Sequence, residues 1–149
     1  MCWGKCGARE KSNEITAIPE LLNILDFAGC IVTIDAIGCQ KNIVANIIEK
    51  EADYVISLKG NQGNLHKDIK DYLDWAERTE FKEIGYDYCQ TLEKGHGRIE
   101  ERRCWVTQEI DWLEGKEDWQ NLKSVVLAEA IREVIGKEKN QSGKTIFYQ

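Results

Sequence analysis

Between residues 16 and 78 the apolar side chains recur at the period of a helix, then a strand, a helix, a strand and a helix again. That alternation constrains the fold more than any other feature of the chain. Ile18, Leu21, Leu22 and Leu25 follow the i, i+3, i+4, i+7 spacing of one helical face. Thr16 fits as the N-cap, which puts Pro19 in the first turn, where a missing N–H costs nothing. The run Cys30-Ile31-Val32-Thr33-Ile34-Asp35 lies between Gly29 and Gly38 and has the length and β-branching of a buried strand. A helix over about 40–51 presents Ile43, Val44, Ile47 and Ile48, and Tyr54 to Leu58 forms a second strand. A third helix, to about residue 78, aligns Leu65, Ile69, Tyr72, Leu73 and Ala76. Parallel strands need a crossover of about a dozen residues, usually a helix, so the pattern predicts an α/β fold with two parallel strands side by side. Asp35 and Lys59 then end on one sheet edge, where α/β proteins place their ligands.

Beyond residue 82 the period shortens. Tyr86 to Leu92 alternates, Lys94-Gly95-His96-Gly97 makes a turn, and Arg98 to Val106 alternates again, which predicts a β-hairpin. Ser124 to Val134 and Lys144 to Tyr148 read as two more strands, separated by the polar stretch 136–143. The expected organisation is an irregular start over 1–12, an α/β core over 13–80 and an antiparallel β region over 83–149. A parallel sheet of two strands is too narrow to stand alone, and the last strand runs to Gln149. Both features predict a piece of something larger.

The net charge of −6 argues against a protein that coats nucleic acid by bulk charge. No apolar stretch reaches the ~18 residues of a membrane span, and the first residues lack the apolar core of a signal peptide. A cytoplasmic protein without membrane contact is the expectation. Six cysteines lie at 2, 6, 30, 39, 89 and 104 without a Cys-x-x-Cys pair, so their spacing gives no structural zinc site. Cys30 and Cys104 are expected to pack in the core, and free thiols fit a reducing compartment. The tryptophans at 75, 105, 112 and 119 are spread along the chain and read as packing residues.

Three groups could carry chemistry. Asp35 could serve a hard divalent ion such as Mg²⁺ or Mn²⁺, or cap the next turn through the N–H of Ile37 or Gly38. Lys59-Gly60-Asn61-Gln62-Gly63 combines a cation, two amides and two glycines at that same edge, but lacks the P-loop pattern. In the segment 94–103 Arg98, Glu100 and Arg102 point one way and Ile99, Arg103 and Trp105 the other. It is either a basic ribbon for a phosphate backbone or a solvated hairpin with Glu100 between two arginines. His96 sits at the glycine-flanked tip.

Five segments, in order and spacing, resemble the ISAs1-type insertion-sequence transposases, which include the H-repeat-associated proteins. They are Lys11-Ser12-Asn13-Glu14-Ile15, Pro19-Glu20-Leu21-Leu22, Ile34-Asp35-Ala36-Ile37-Gly38-Cys39-Gln40, Leu58-Lys59-Gly60-Asn61-Gln62 and Glu93-Lys94-Gly95-His96-Gly97-Arg98-Ile99-Glu100, the last followed by Arg102-Arg103. The resemblance runs from about residue 10 to the end. It implies a DDE transposase with an RNase H-like core, which cuts and joins DNA at insertion-sequence ends using two metal ions, Mg²⁺ or Mn²⁺, held by two aspartates and a glutamate.

On this resemblance Asp35 is the second catalytic acid and metal ligand. The β-rich half corresponds to an insertion between the second aspartate and the glutamate. DNA contacts are expected from Lys59, Asn61, Gln62, His96, Arg98 and Arg102, and an oligomer is compatible with the family. The family's first aspartate lies in an upstream Asp-Gly-Lys motif, and its glutamate lies in a downstream His-Trp-x-Ile-Glu-Asn helix. Neither motif occurs here. Glu100 is a poorer third acid, because it sits in a hairpin beside arginines. The chain alone is therefore expected to be inactive and to bind metal weakly. The alternatives are a non-catalytic remnant or a small α/β binding module unrelated to DNA.

Overall fold

The computed structural model describes residues 14–60, 63–95, 97–134 and 140–148. Three helices, α1 (Glu14–Ile24), α2 (Lys41–Glu49) and α3 (Gly63–Arg78), combine with six strands. The strands are β1 (Ile31–Ile34), β2 (Asp53–Leu58), β3 (Asp87–Gly95), β4 (Arg98–Thr107), β5 (Val125–Val134) and β6 (Asn140–Tyr148). They form one mixed sheet in the order β1-β2-β6-β5-β4-β3.

The parallel pair expected from the helix–strand alternation is β1 against β2, with Ile34 opposite Ile56. The antiparallel half is the hairpin β3–β4 followed by β5 and β6. The two halves share one sheet. Strand β6 inserts between β2 and β5 and runs antiparallel to both, so position 148 pairs with Ile56 on one side and Val125 on the other. The polar stretch shortens accordingly, since β6 already begins at Asn140.

The register aligns Leu58, position 146, Leu127, Trp105 and Tyr88 in one row across five strands. The face bearing this row carries the core. Tyr54, Ile56 and Leu58 of β2 and Val125 and Leu127 of β5 are buried with Ile43, Val44 and Ile47 of α2 and Ile69, Leu73 and Ala76 of α3. Each helix buries its apolar stripe, which is what the 3.6-residue period dictates. The connector after β4 closes this core with Ile110, Leu113, Trp119 and Leu122. It is pinned by the Tyr54 hydroxyl, which donates to the Gln120 carbonyl at 2.9 Å.

Two helix ends depend on single side chains. The Lys50 ammonium donates to the carbonyls of Leu22 (2.5 Å), Asn23 (3.0 Å) and Leu25 (3.3 Å) at the end of α1 and lies 5.4 Å from the Phe27 ring centre. It satisfies acceptors that a helix C-terminus leaves open and complements the helix dipole. At the end of α3, Glu80 and Phe81 adopt the left-handed conformation, with φ of 54° and 57°. The Phe81 N–H reaches the Ala76 carbonyl at 2.7 Å, and its ring stacks on Trp105 at 5.3 Å. Burial of that ring offsets the cost of a left-handed non-glycine residue.

Three expectations change. Thr16 lies inside α1, because threonine is a weaker cap than serine, aspartate or asparagine and the helix extends past it. Pro19 consequently sits deeper than the first turn, where it withholds one intrahelical N–H. Strand β1 is an edge strand rather than a buried one, and its Ile31 is 64% exposed. Cys30, just before that edge, is exposed, and Cys104 is half-buried, so neither is a core thiol. The tryptophans divide: Trp119 is buried and Trp105 covers Phe81, whereas Trp75 and Trp112 are exposed, with the Trp112 ring 4.4 Å from that of Tyr72.

Candidate functional site

Asp35 leaves the carboxyl end of β1 in an extended conformation and caps the 3-10 turn Ala36–Gly38. Its Oδ1 accepts from the Ala36 N–H at 2.7 Å, and its carbonyl accepts from the Gly38 N–H at 2.8 Å. The turn folds back tightly because residue 38 is glycine. A Cβ there would meet Ile34 Cγ2 at 2.1 Å and Ile18 Cδ1 at 3.3 Å. The Ile-Asp-Ala-Ile-Gly sequence thus fixes the direction of the carboxylate through the close approach of its glycine to β1 and α1.

Lys59 leaves the neighbouring end of β2, and its Nζ lies 3.5 Å from Asp35 Oδ1. Both side chains are exposed. The Ala36 N–H, and then the Lys59 charge, hold the Asp35 carboxyl below the usual carboxylate range. Asp35 is therefore ionised at neutral pH and presented to solvent. An exposed pair of this kind adds little stability; its importance is positional. Gly60 follows Lys59, and α3 begins at Gly63. Asn61, Gln62 and His96 lie outside the described residues.

The hairpin arginines converge on one carboxylate. Glu100, with a side chain 15% exposed, receives Arg102 at 2.9 Å, Arg132 at 2.8 Å and Arg98 at 3.5 Å. Arg102 also reaches Glu93 at 3.2 Å. On the opposite face Arg103 pairs with Glu101 at 2.7 Å and approaches Glu129 at 3.6 Å. The alternation expected for 98–103 is therefore realised, and Glu100 does sit between two arginines. Arg132 joins them from β5, opposite Glu100 in the register. Its position in the alternating run 124–134 indicated a strand, but the pairing that brings it to Glu100 is long-range and has no local sequence signal.

Asp35 and these arginines share one end and one face of the sheet. Ile34 and Leu58 align with the core-facing rows, so the next residues, Asp35 and Lys59, turn to the other face. Counting from Trp105 in the Leu58 row, Arg98, Glu100 and Arg102 also fall on that face, as does Arg132. The Arg102 position lies about 10 Å further along the strand direction and about 14 Å across from β2, from the spacings of a sheet. Asp35, Lys59 and three arginines thus border one shallow surface.

Among the described residues, no group of three or more histidine, cysteine, aspartate or glutamate side chains converges as a metal site. The charge beside Asp35 is a lysine, and Glu100 is occupied by guanidinium groups. A two-metal phosphoryl-transfer centre needs several carboxylates from separate elements. The described part of the chain supplies one, so it does not fit a complete metal pair.

The family model described as "Transposase DDE domain" matches residues 6–130. The chain belongs to the DDE-domain transposases. This transposase chain is 47% identical over 127 residues to an "Uncharacterized protein in dhlA 3'region" of Xanthobacter autotrophicus, covering 85% of the chain and 42% of that protein. It is 39% identical over 151 residues to the "H repeat-associated putative transposase YhhI" of Escherichia coli K12, covering 97% and 38%. To the "H repeat-associated putative transposase YbfD" of the same organism it is 46% identical over 110 residues, covering 72% and 42%. The chain thus spans about 40% of the length of these curated relatives. No solved structure matches it. No helix among the described residues of the transposase chain is long and apolar enough to cross a membrane.

Proposed function

We propose that this chain is the segment of an ISAs1-type DDE transposase that carries the second catalytic aspartate, Asp35, within an RNase H-like core. The β-rich half over 83–149 is an insertion that helps to hold DNA. The observation that carries this reading is the placement of Asp35 and Lys59 on the same face and end of the sheet as Arg98, Arg102 and Arg132. A phosphate backbone lying across that surface would run from the Asp35 carboxylate at the sheet edge over Lys59 towards the arginines of β4 and β5.

The whole enzyme would cut and join insertion-sequence ends in the cytoplasm, using Mg²⁺ or Mn²⁺. The remaining acids of its metal site would come from parts of the protein outside this chain. The chain alone supplies Asp35, Lys59, Asn61, Gln62, His96, Arg98 and Arg102 and performs no strand transfer.

The metal assignment is tested by titrating Mn²⁺ into the 149-residue chain and following amide line broadening. Weak broadening centred on Ala36, Gly38, Lys59 and Gly60, lost in Asp35→Asn, is the expected result. Uniform broadening that is unchanged in Asp35→Asn would refute it.

One observation favours a second reading, a small binding module without DNA affinity. The arginines of the hairpin already satisfy Glu100, and the net charge is −6. Anisotropy with labelled duplex DNA separates the two. The transposase reading predicts weak, salt-sensitive binding that drops severalfold in Arg98→Ala/Arg102→Ala. No measurable binding even at low salt would favour the module.

A further inference from the structure

Glu100 stands at the foot of a fork of arginines drawn from two strands. Arg132 crosses from β5 and brings both Nε (3.0 Å) and Nη2 (2.8 Å) to Oε1. Arg102 brings Nη2 to Oε2 at 2.9 Å, and the Arg98 Nε lies 3.5 Å from Oε1. The carboxylate side chain is 15% exposed, whereas those of Arg98, Arg102 and Arg132 are 50%, 53% and 50% exposed. The acid thus lies beneath, and the cations lie above it towards solvent. Three guanidiniums against one carboxylate leave a surplus of two positive charges. Glu93, opposite Glu100 in the register, pairs with Arg102 and is 65% exposed, so its inclusion still leaves the group positive. A guanidinium has five N–H donors. Arg132 commits its Nε and Nη2 groups to Glu100, which leaves its Nη1 donors for a further acceptor.

We infer that Glu100 is a positioning residue that gathers Arg98, Arg102 and Arg132 into one site for a phosphodiester, and that Arg132 is a DNA contact in its own right. The inference rests on the DNA-holding reading proposed above. It adds that the negative charge at the centre of the cluster favours the binding of another anion. Guanidiniums this close repel one another, and without the shared carboxylate they would splay apart. Long arginine side chains also lose rotamer freedom when they grip a phosphate. A fork already held in place has less of that freedom left to lose.

Anisotropy with labelled duplex DNA at about 0.15 M salt, where attraction beyond about 8 Å is largely screened, separates position from charge. Glu100→Gln and Glu93→Gln each remove one negative charge from the same face of the sheet. Glu93→Gln leaves the fork on Glu100 and should bind DNA at least as tightly as the wild-type chain. Glu100→Gln should bind severalfold more weakly, although it gains the same charge. Arg132→Lys keeps the charge on an exposed side chain but cannot fork, and should also bind severalfold more weakly. That variant carries the test if circular dichroism shows Glu100→Gln to be unfolded. Wild-type or tighter binding by folded Glu100→Gln, or wild-type affinity in Arg132→Lys, would overturn the inference and leave the DNA-holding reading standing. A wild-type chain that binds no DNA even at low salt would overturn both.

Discussion

At the scale of single residues, the chain separates side chains that hold the fold from those that face solvent with chemistry to offer. Tyr54 belongs to the first kind. Its ring is buried, and its hydroxyl is committed to the Gln120 carbonyl. Burial, with a smaller contribution from Cys39, raises its pKa well above the ordinary tyrosine value. A raised pKa means that the neutral phenol stabilises the folded state fully below about pH 10, the unfolded value, and that this stability is lost as pH rises further. Tyr54→Phe should cost about 1–2 kcal/mol at neutral pH through the unpaired Gln120 carbonyl, and should flatten the loss of stability above about pH 10. Urea midpoints across alkaline pH would measure both effects.

Asp35 belongs to the second kind, with the opposite sign. Its lowered pKa makes its capping contribution present above the ordinary carboxylate range and lost as pH falls through its own value. A carboxyl carbon titration should therefore place its midpoint below that of an unperturbed aspartate. The Lys59→Met variant should move it part of the way back. An ordinary midpoint in the wild-type chain would contradict the capped geometry. Asp35 was legible in the sequence because a β-branched run ending in a carboxylate before Ala-Ile-Gly is a local signal. Its ambiguity between a capping and a catalytic role was equally legible. The structure shows the capping role: the Asp35 side chain accepts from the Ala36 N–H, which also fixes the direction of the carboxylate.

At the scale of elements, periodicity located the three α-helices and six strands among the described residues to within a few residues, but not the 3-10 turns, and pairing was the part it could not supply. The alternation between helix and strand implied β1 beside β2, because local crossover rules determine that neighbour. The insertion of β6 between β2 and β5 depends on contacts between residues some ninety positions apart in the sequence, and no window of the sequence holds that information. The exposure of β1 was misread for the same reason, since an edge and a central parallel strand share one composition. Arg132 went unnoticed because only the β4–β5 register brings it to Glu100. The cap at the end of α1 comes from a distant side chain, Lys50, and nothing near α1 in sequence announces it. Lys50→Met keeps the stem but removes the donor to three carbonyls, and should lower stability by about 1–3 kcal/mol. Hydrogen exchange should show the loss concentrated in the last turn of α1. Protection there that matches the wild-type chain would contradict the capping role.

At the scale of the whole molecule, one mixed sheet joins a parallel pair bearing Asp35 to an antiparallel half bearing the arginine cluster. Its core lies on one face, while the acid, Lys59 and the arginines lie on the other. The family match runs over residues 6–130, and the chain spans about 40% of the length of the curated relatives it matches. The described residues bring one carboxylate, flanked by a lysine, to the edge where a two-metal centre would need several. The proposal made for Asp35 is that it serves as a catalytic aspartate in the whole enzyme, while the described residues of this chain bring no second carboxylate to it. Nicking of supercoiled plasmid in Mn²⁺ by the purified 149-residue chain and its Asp35→Ala variant tests this most directly. The plasmid should remain supercoiled with both proteins, whereas nicking by the wild-type chain that disappears in Asp35→Ala would contradict the claim.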